Sequence, residues 1–175
     1  MTAYAALLRG INVGGNKTIA MPALKALFEE LGFADVVTYI QSGNVVFRGP
    51  KADASVIEKR ITDAFGHEVT VILRTGAELS TAVKGNPFVS PETNLKQLYV
   101  VYLDSKPASG AADGLDPERS PGDRFSLAGR ELYLDLGNGA VRTKLTLDYL
   151  ERKLGVKGTA RNWNTAQKLV ELTST

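Results

Sequence analysis

Three short segments carry the residues best suited to hold a polar ligand. They are Arg9-Gly10-Ile11-Asn12-Val13-Gly14-Gly15-Asn16, Gln41-Ser42-Gly43-Asn44 and Arg161-Asn162-Trp163-Asn164. Amide side chains and bare glycine backbone supply hydrogen-bond donors and acceptors without committing to one reaction. The guanidinium fork adds planar recognition of phosphate or carboxylate, which an ammonium does not copy. The chemistry these residues suit is recognition of a small anion, and the ligand-binding candidates are Arg9, Asn12, Gly14, Gly15, Lys17, Gln41, Ser42, Asn44, Arg161 and Asn162. Arg9 and Arg161 each lie beside a glycine or asparagine cluster and are expected to share one anion site. The competing expectation is that each makes an internal salt bridge or caps a helix carbonyl.

Each segment has a structural alternative. Gly14-Gly15 with Lys17 would cradle a phosphate from backbone N–H groups, but its spacing is neither the P-loop nor G-x-G-x-x-G. A tight turn needing positive φ at glycine explains it equally. Gln41, Ser42 and Asn44 are good turn residues, with Asn44 bonding its own backbone. Ser42 lies outside any G-x-S-x-G pattern, and the single histidine, His67, follows a helix-ending glycine. A Ser-His-Asp triad is therefore not expected. Asn162 or Asn164 is a natural N-cap, with Trp163 as a packing anchor. The acids Asp113, Asp116, Glu118 and Asp123 lack EF-hand spacing and are broken by Pro117 and Pro121, so they read as a solvated loop. Glu131 and Asp135 alternate with leucine, the pattern of a solvent-facing strand. No metal site or cofactor is expected.

The elements that position these segments follow from periodicity and punctuation. Tyr4 to Arg9 reads as a strand running into the glycine loop. Leu24, Leu27, Phe28 and Leu31 mark a helix with Pro22 in its first turn and Gly32 at its stop. Val36 to Ile40 and Val45 to Arg48 read as a hairpin turning at Ser42-Gly43. A second helix carries Ile57, Ile61, Ala64 and Phe65, with a capping box from Ser55 to Glu58 and a stop at Gly66. Val69 to Leu73 closes a βαββαβ order.

The second half repeats the order. A helix starts near Thr75 with Glu78 completing its cap and leads past Asn86-Pro87-Phe88. Gln97 to Leu103 is a strand, and Lys106 to Gly122 is a long loop or weak helix. A hairpin follows, from Phe125 to Leu127 and Leu132 to Leu136 about Gly129. The helix marked by Leu147, Leu150 and Leu154 stops at Gly155. Val156 to Ala160 gives a last strand, and Trp163, Ala166, Leu169 and Val170 lie on one side of a terminal helix. The expected fold is α+β: two ferredoxin-like (βαββαβ) subdomains with mainly antiparallel sheets and a C-terminal helix. The expected boundaries are residues 1–75, a connecting helix and loop at 76–96, and 97–175. In a ferredoxin-like sheet the first and third strands are adjacent, so the glycine loop should lie beside the Ser42-Gly43 turn.

Leu7 to Gly15, Tyr39 to Phe47 and Thr159 to Thr165 closely resemble the bacterial family catalogued as domain of unknown function 1697, and Asn86-Pro87-Phe88 resembles another of its recurring segments. The resemblance covers nearly the whole chain. It implies a compact α+β protein with two related subdomains, and it transfers no catalytic residue.

Bulk composition narrows the function classes. The 175-residue chain is 43% hydrophobic and 23% charged, with net charge +2, which implies no global steering toward DNA or membrane. Residues 142–168 hold seven Lys or Arg against Asp148 and Glu151, the usual pattern of a solvated helix face. With no cysteine, disulfides, thiolate zinc and a cysteine nucleophile are excluded. No signal-peptide pattern or membrane-length apolar run is visible, so a cytoplasmic protein is expected. Three classes remain, in this order. The first is a binder of a small phosphorylated or nucleotide-like anion. The second is an RNA binder, disfavoured by the lack of an RNP1 pattern. The third is a transferase or hydrolase without an evident base. Oligomeric state is not legible.

Overall fold

The structure, a computed structural model, describes residues 1–40 and 43–174. Its first elements are β1 (Thr2–Leu8), α1 (Met21–Glu30), β2 (Ala34–Tyr39), β3 (Asn44–Gly49), α2 (Ala54–Phe65), β4 (Val71–Thr75) and α3 (Gly76–Lys84). There follow β5 (Leu98–Leu103), β6 (Asp123–Ala128), β7 (Glu131–Leu136), α4 (Leu147–Leu154), β8 (Gly158–Asn162) and α5 (Trp163–Ser174). Short 3₁₀ turns occupy Leu95–Gln97 and Ala111–Gly114. Residues 1–81 with 169–175 form one compact unit, and residues 82–168 form the other. Each unit holds one four-stranded antiparallel sheet.

In the first unit the strand order is β2-β3-β1-β4. Along β1, side chains alternate between faces. Ala6 and Leu8 join Val45 and Phe47 in a core with Leu24, Leu27 and Phe28 of α1 and Ile57 and Ile61 of α2. Both helices thus cover one sheet face, as their order requires. The opposite face is buried too, with Ala5, Leu7, Val46, Ile72 and Arg74 all nearly inaccessible.

Local chemistry sets the helix ends. Pro22 starts α1, where its missing N–H costs nothing. The cap of α2 is Asp53, which accepts from Ser55 N, and not Ser55 itself. Glu58, expected to close a capping box, instead accepts from Val71 N at 2.8 Å and ties the helix to β4. Gly66 ends α2 in the left-handed region at φ +72°. At α3 the expected reciprocal box forms: Glu78 N donates to Thr75 Oγ1 and Thr75 N donates to Glu78 Oε1.

The second unit repeats the order as β6-β7-β5-β8. Helix α4 is capped by Thr146 and stopped by Gly155. Glu151 accepts from Gly158 N at 2.8 Å, at the start of β8, the same device as Glu58 at the start of β4. The registers equate the two sheets residue by residue. Ala5 pairs with Val46 and Arg74, and Val100 pairs with Tyr133 and Arg161. The sequence offset is the same from β3 to β7, from β4 to β8 and at the start of α3 and α5, although the helix between them is shorter in the second unit. Arg74 therefore answers to Arg161, and Thr75 to Asn162. One element is missing. Where α1 follows β1, the segment from Asp104 to Gly122 after β5 contains only a 3₁₀ turn. Its prolines, glycines and scattered charges form no apolar helical stripe.

Candidate functional site

The sequence candidates divide between the units. Arg9, Asn12, Gly14, Gly15, Lys17 and Asn44 belong to the first, and Arg161 and Asn162 to the second. Gln41 and Ser42 lie outside the described residues.

The glycine loop is a miniature hairpin. Asn16 N donates to Val13 O at 2.9 Å, and Asn12 N donates to Lys17 O at 3.2 Å. Gly14 and Gly15 turn it at φ +57° and +79°, the both-positive pattern of a type I′ turn. Asn12 sits at φ +55°. Its amide clamps the loop base, accepting from Ile19 N at 2.8 Å and donating to Ile19 O at 3.1 Å. Lys17 Nζ donates to Glu68 O at 2.6 Å. Helix α1 starts only at Met21, so the loop does not feed directly into a helix N-terminus as a phosphate loop does.

The loop and the hairpin between β2 and β3 meet. Leu8 N donates to Gly43 O at 2.9 Å. A Cβ placed on Gly43 would come within 2.8 Å of Ile11 Cδ1 and 3.0 Å of Leu8 Cβ. Asn44 is fully buried, and its amide donates to Tyr39 O at 2.9 Å across the hairpin base. Asn12 and Asn44 thus both hold backbone in place. Ile40 enters the turn at φ +53°, a strained conformation for a β-branched residue.

In the second unit, Arg161 is buried at 6% exposure. Its Nη1 donates to Thr159 Oγ1 at 2.6 Å and to Ala160 O at 3.0 Å. Burial pulls the guanidinium down to about 10, opposed by Tyr102. Arg74 makes the matching bond in its own unit, Nη1 to Leu73 O at 3.0 Å. Asn162 is the N-cap of α5, accepting from Thr165 N at 2.8 Å. Beside it opens a cavity of about 420 Å³ lined by Leu95, Lys96, Tyr99, Asn162, Trp163, Asn164 and Gln167. It gathers an ammonium, three amides and two aromatic side chains at the first turn of a twelve-residue helix. Lys96, Tyr99 and Gln167 were not legible as site residues. Their grouping depends on the pairing of Tyr99 with Asn162 across β5 and β8, strands far apart in sequence.

Two acidic residues differ from their expected solvent exposure. Asp135 is only 7% exposed, and Arg124 Nε and Nη2 both donate to its Oδ2. Arg124 also lies 4.6 Å over the ring of Phe88, whose N donates to Asn86 Oδ1 at 2.9 Å. Asn86-Pro87-Phe88 is thereby fixed to the sheet. Asp123 is also 7% exposed. It accepts from Ser120 Oγ at 2.7 Å, Thr143 Oγ1 at 2.6 Å and Asn138 N at 2.9 Å. Burial raises the Asp123 pKa, but the bonds from Thr143, Asn138 and Ser120 outweigh it and hold the carboxyl below its ordinary value. Among the described residues there is no group of three or more metal-ligating His, Asp or Glu.

Fold and cavity define an α+β protein of two related sheet-and-helix units, with a polar pocket at a helix start. The chain belongs to the family described as "Protein of unknown function (DUF1697)", whose model matches residues 1–133. A solved structure described as that of the conserved bacterial protein SP0830 from Streptococcus pneumoniae is similar to it. The TM-score is 0.75 at 20% identity, covering 98% of each chain. That likeness bears out the α+β fold of two similar units and says nothing of activity. No curated protein matches the chain. No helix among the described residues is long and apolar enough to cross a membrane.

Proposed function

We propose that the protein binds a small anionic ligand, phosphorylated or nucleotide-like, in the cavity beside Asn162. The observation that carries this reading is the set of residues around that cavity: Lys96, Asn164, Gln167, the capping Asn162 and the aromatic residues Tyr99 and Trp163 line one space of about 420 Å³. The volume falls in the roughly 300–1,000 Å³ range of small-molecule sites. A helix N-terminus and an ammonium favour an anion. The half-buried Tyr99 on the cavity wall favours a base or other planar group, while Trp163 is almost wholly buried. The glycine hairpin is the weaker candidate, because its ammonium, Lys17, and the amides of Asn12 and Asn44 all bond to backbone, whereas at the cavity this is so of Asn162. The cysteine-free chain suits a reducing, cytoplasmic setting for such a ligand.

The test is a thermal-shift screen with nucleotides, sugar phosphates and short RNA. A ligand at 100 times its dissociation constant stabilises by about 2.7 kcal/mol. Lys96→Glu and Asn164→Ala are expected to abolish that gain. Stabilisation by RNA alone would favour the nucleic-acid reading. Stabilisation that survives both substitutions would place the site elsewhere, and no response to any compound would remove the proposal.

A further inference from the structure

The second unit, which lacks the helix after its first strand, holds a second cavity. In the first unit, Tyr4 stacks on Phe47 with ring centroids 5.4 Å apart. Two rings cover that pair. Phe28 of α1 lies 5.3 Å from Phe47, and Phe33, just after α1, lies 4.3 Å away. Phe33 rests on Gly49 so closely that a Cβ there would meet its Cδ1 at 2.7 Å. By register, Tyr4, Phe47 and Gly49 answer to Tyr99, Leu134 and Leu136. Those three residues line an open cavity of about 310 Å³ in the second unit, together with Leu147 and Leu150 of α4. The segment from Asp104 to Gly122 contains no aromatic residue, so nothing in it answers to Phe28 or Phe33.

We propose that this cavity binds an uncharged aromatic molecule of one or two rings. In the first unit aromatic carbon packs on the equivalent residues, with rings stacked or tilted; in the second, Leu134 replaces the Phe47 ring and Leu136 puts a shorter side chain where Gly49 admits Phe33. An apolar cavity of about 150 Å³ already holds benzene, so the second unit has room for a bicyclic ring. None of the lining residues is charged, and a buried ion without a partner is strongly disfavoured. The two threonines of the lining have their hydroxyls engaged: Thr143 Oγ1 donates to Asp123 Oδ2, and Thr146 Oγ1 accepts from Tyr149 N. Recognition therefore rests on shape and apolar burial. This ligand is distinct in chemistry from the anion proposed for the polar cavity, although Tyr99 lines both spaces.

The test uses the full chain with methyl-labelled leucine, titrated with indole and with 2-naphthol while methyl NMR shifts are followed. The expected result is saturable one-site binding, with shifts concentrated at Leu134, Leu136, Leu147 and Leu150. Leu134→Phe restores the ring that the first unit carries at Phe47 and should weaken binding by about tenfold or more, roughly 1.4 kcal/mol per factor of ten. Ala160→Leu, at an exposed edge position on the cavity wall, should weaken it too and serves if Leu134→Phe does not fold. Lys153→Ala, exposed on α4, should bind as the parent does. Non-saturating or scattered shifts, or unchanged binding in both filling variants, would overturn the assignment.

Discussion

The first unit lays two helices across its sheet, while the second lays one helix and a polar loop. In the first, Leu24, Leu27, Phe28, Ile57 and Ile61 close the core by apolar burial. In the second, Leu115 of the segment between β5 and β6 is buried among the core leucines, with Ala111 packed against them. Directional bonds take over the role of α1. Tyr149 OH accepts from Asp116 N at 3.0 Å, and Arg119 lies 3.8 Å over the Tyr149 ring. Arg119 Nε reaches Lys144 O at 2.9 Å, and Asp123 gathers Ser120, Asn138 and Thr143. One strand order is thus held by two kinds of force. Burial is non-directional and scales with area, and the polar network fixes geometry but fails when one member is lost.

The largest expected effect breaks the apolar side of this contrast. Phe47→Ala removes the ring at the centre of Tyr4, Phe28 and Phe33, and should cost about 3–5 kcal/mol in denaturant unfolding. Leu134→Ala, at the equivalent position, removes a smaller side chain beside an existing cavity and should cost about 2–3 kcal/mol. Equal costs would mean that the second core is packed as fully as the first.

The two hairpins offer the next comparison. Gly43 is at φ +90°, with Leu8 Cβ and Ile11 in the way of any side chain, whereas Gly129 is at φ +60° in open space. Gly43→Ala therefore combines backbone strain with overpacking and should cost about 2–4 kcal/mol. Gly129→Ala carries the strain alone, about 1–2 kcal/mol. If Gly43→Ala is as mild as Gly129→Ala, the glycine loop and the hairpin are not in contact.

What was legible in the sequence follows the range of each interaction. Strand alternation, Gly66, Gly155 and the Thr75–Glu78 box are local signals, and each appears where its neighbours place it. The adjacency of the glycine loop and the hairpin needed only strand order. The cap of α2 was misread because Ser55 and Glu58 fit the box template, while Glu58 is drawn to Val71 N across the fold. Asp135 alternates with buried leucines and so resembled a solvent position. It is buried because β7 is covered on both faces along most of its length, and its neighbour in register, Arg124, pairs with it. The polar cavity was only half visible, through Asn162. Lys96 and Tyr99 reach it through a strand pairing that no local pattern encodes.

The arginine pair sharpens the comparison further. Arg74 and Arg161 occupy the same register position, and each bonds the carbonyl of the residue before it. If their role is internal, Arg161→Lys should lower stability by about 1–3 kcal/mol without any ligand present, and Arg74→Lys should do likewise. Unchanged stability in Arg161→Lys would return this residue to the binding candidates.

The smallest expected effect is the dependence on acid that Asp123 gives the second unit's loop. The Asp123 carboxylate is held below the ordinary aspartate value of 3.8 by the bonds from Thr143, Asn138 and Ser120. The unfolded chain therefore takes up this proton at a higher pH than the folded chain does. Stability from Asp123 is fully present above that value and is lost as pH falls through the lower folded value. Asp123→Asn keeps the shape but replaces one acceptor oxygen with a donor. It should cost about 1–2 kcal/mol near neutrality. It should also flatten the fall in stability below about pH 4 relative to the parent. Asp53, capping α2, is lowered as well, first by its bonds from Ser55, so Asp53→Asn measured alongside separates the two contributions. If the acid slope of Asp123→Asn matches that of the parent, the loop of the second unit is not held by this carboxylate, and the contrast between the two units would rest on packing alone.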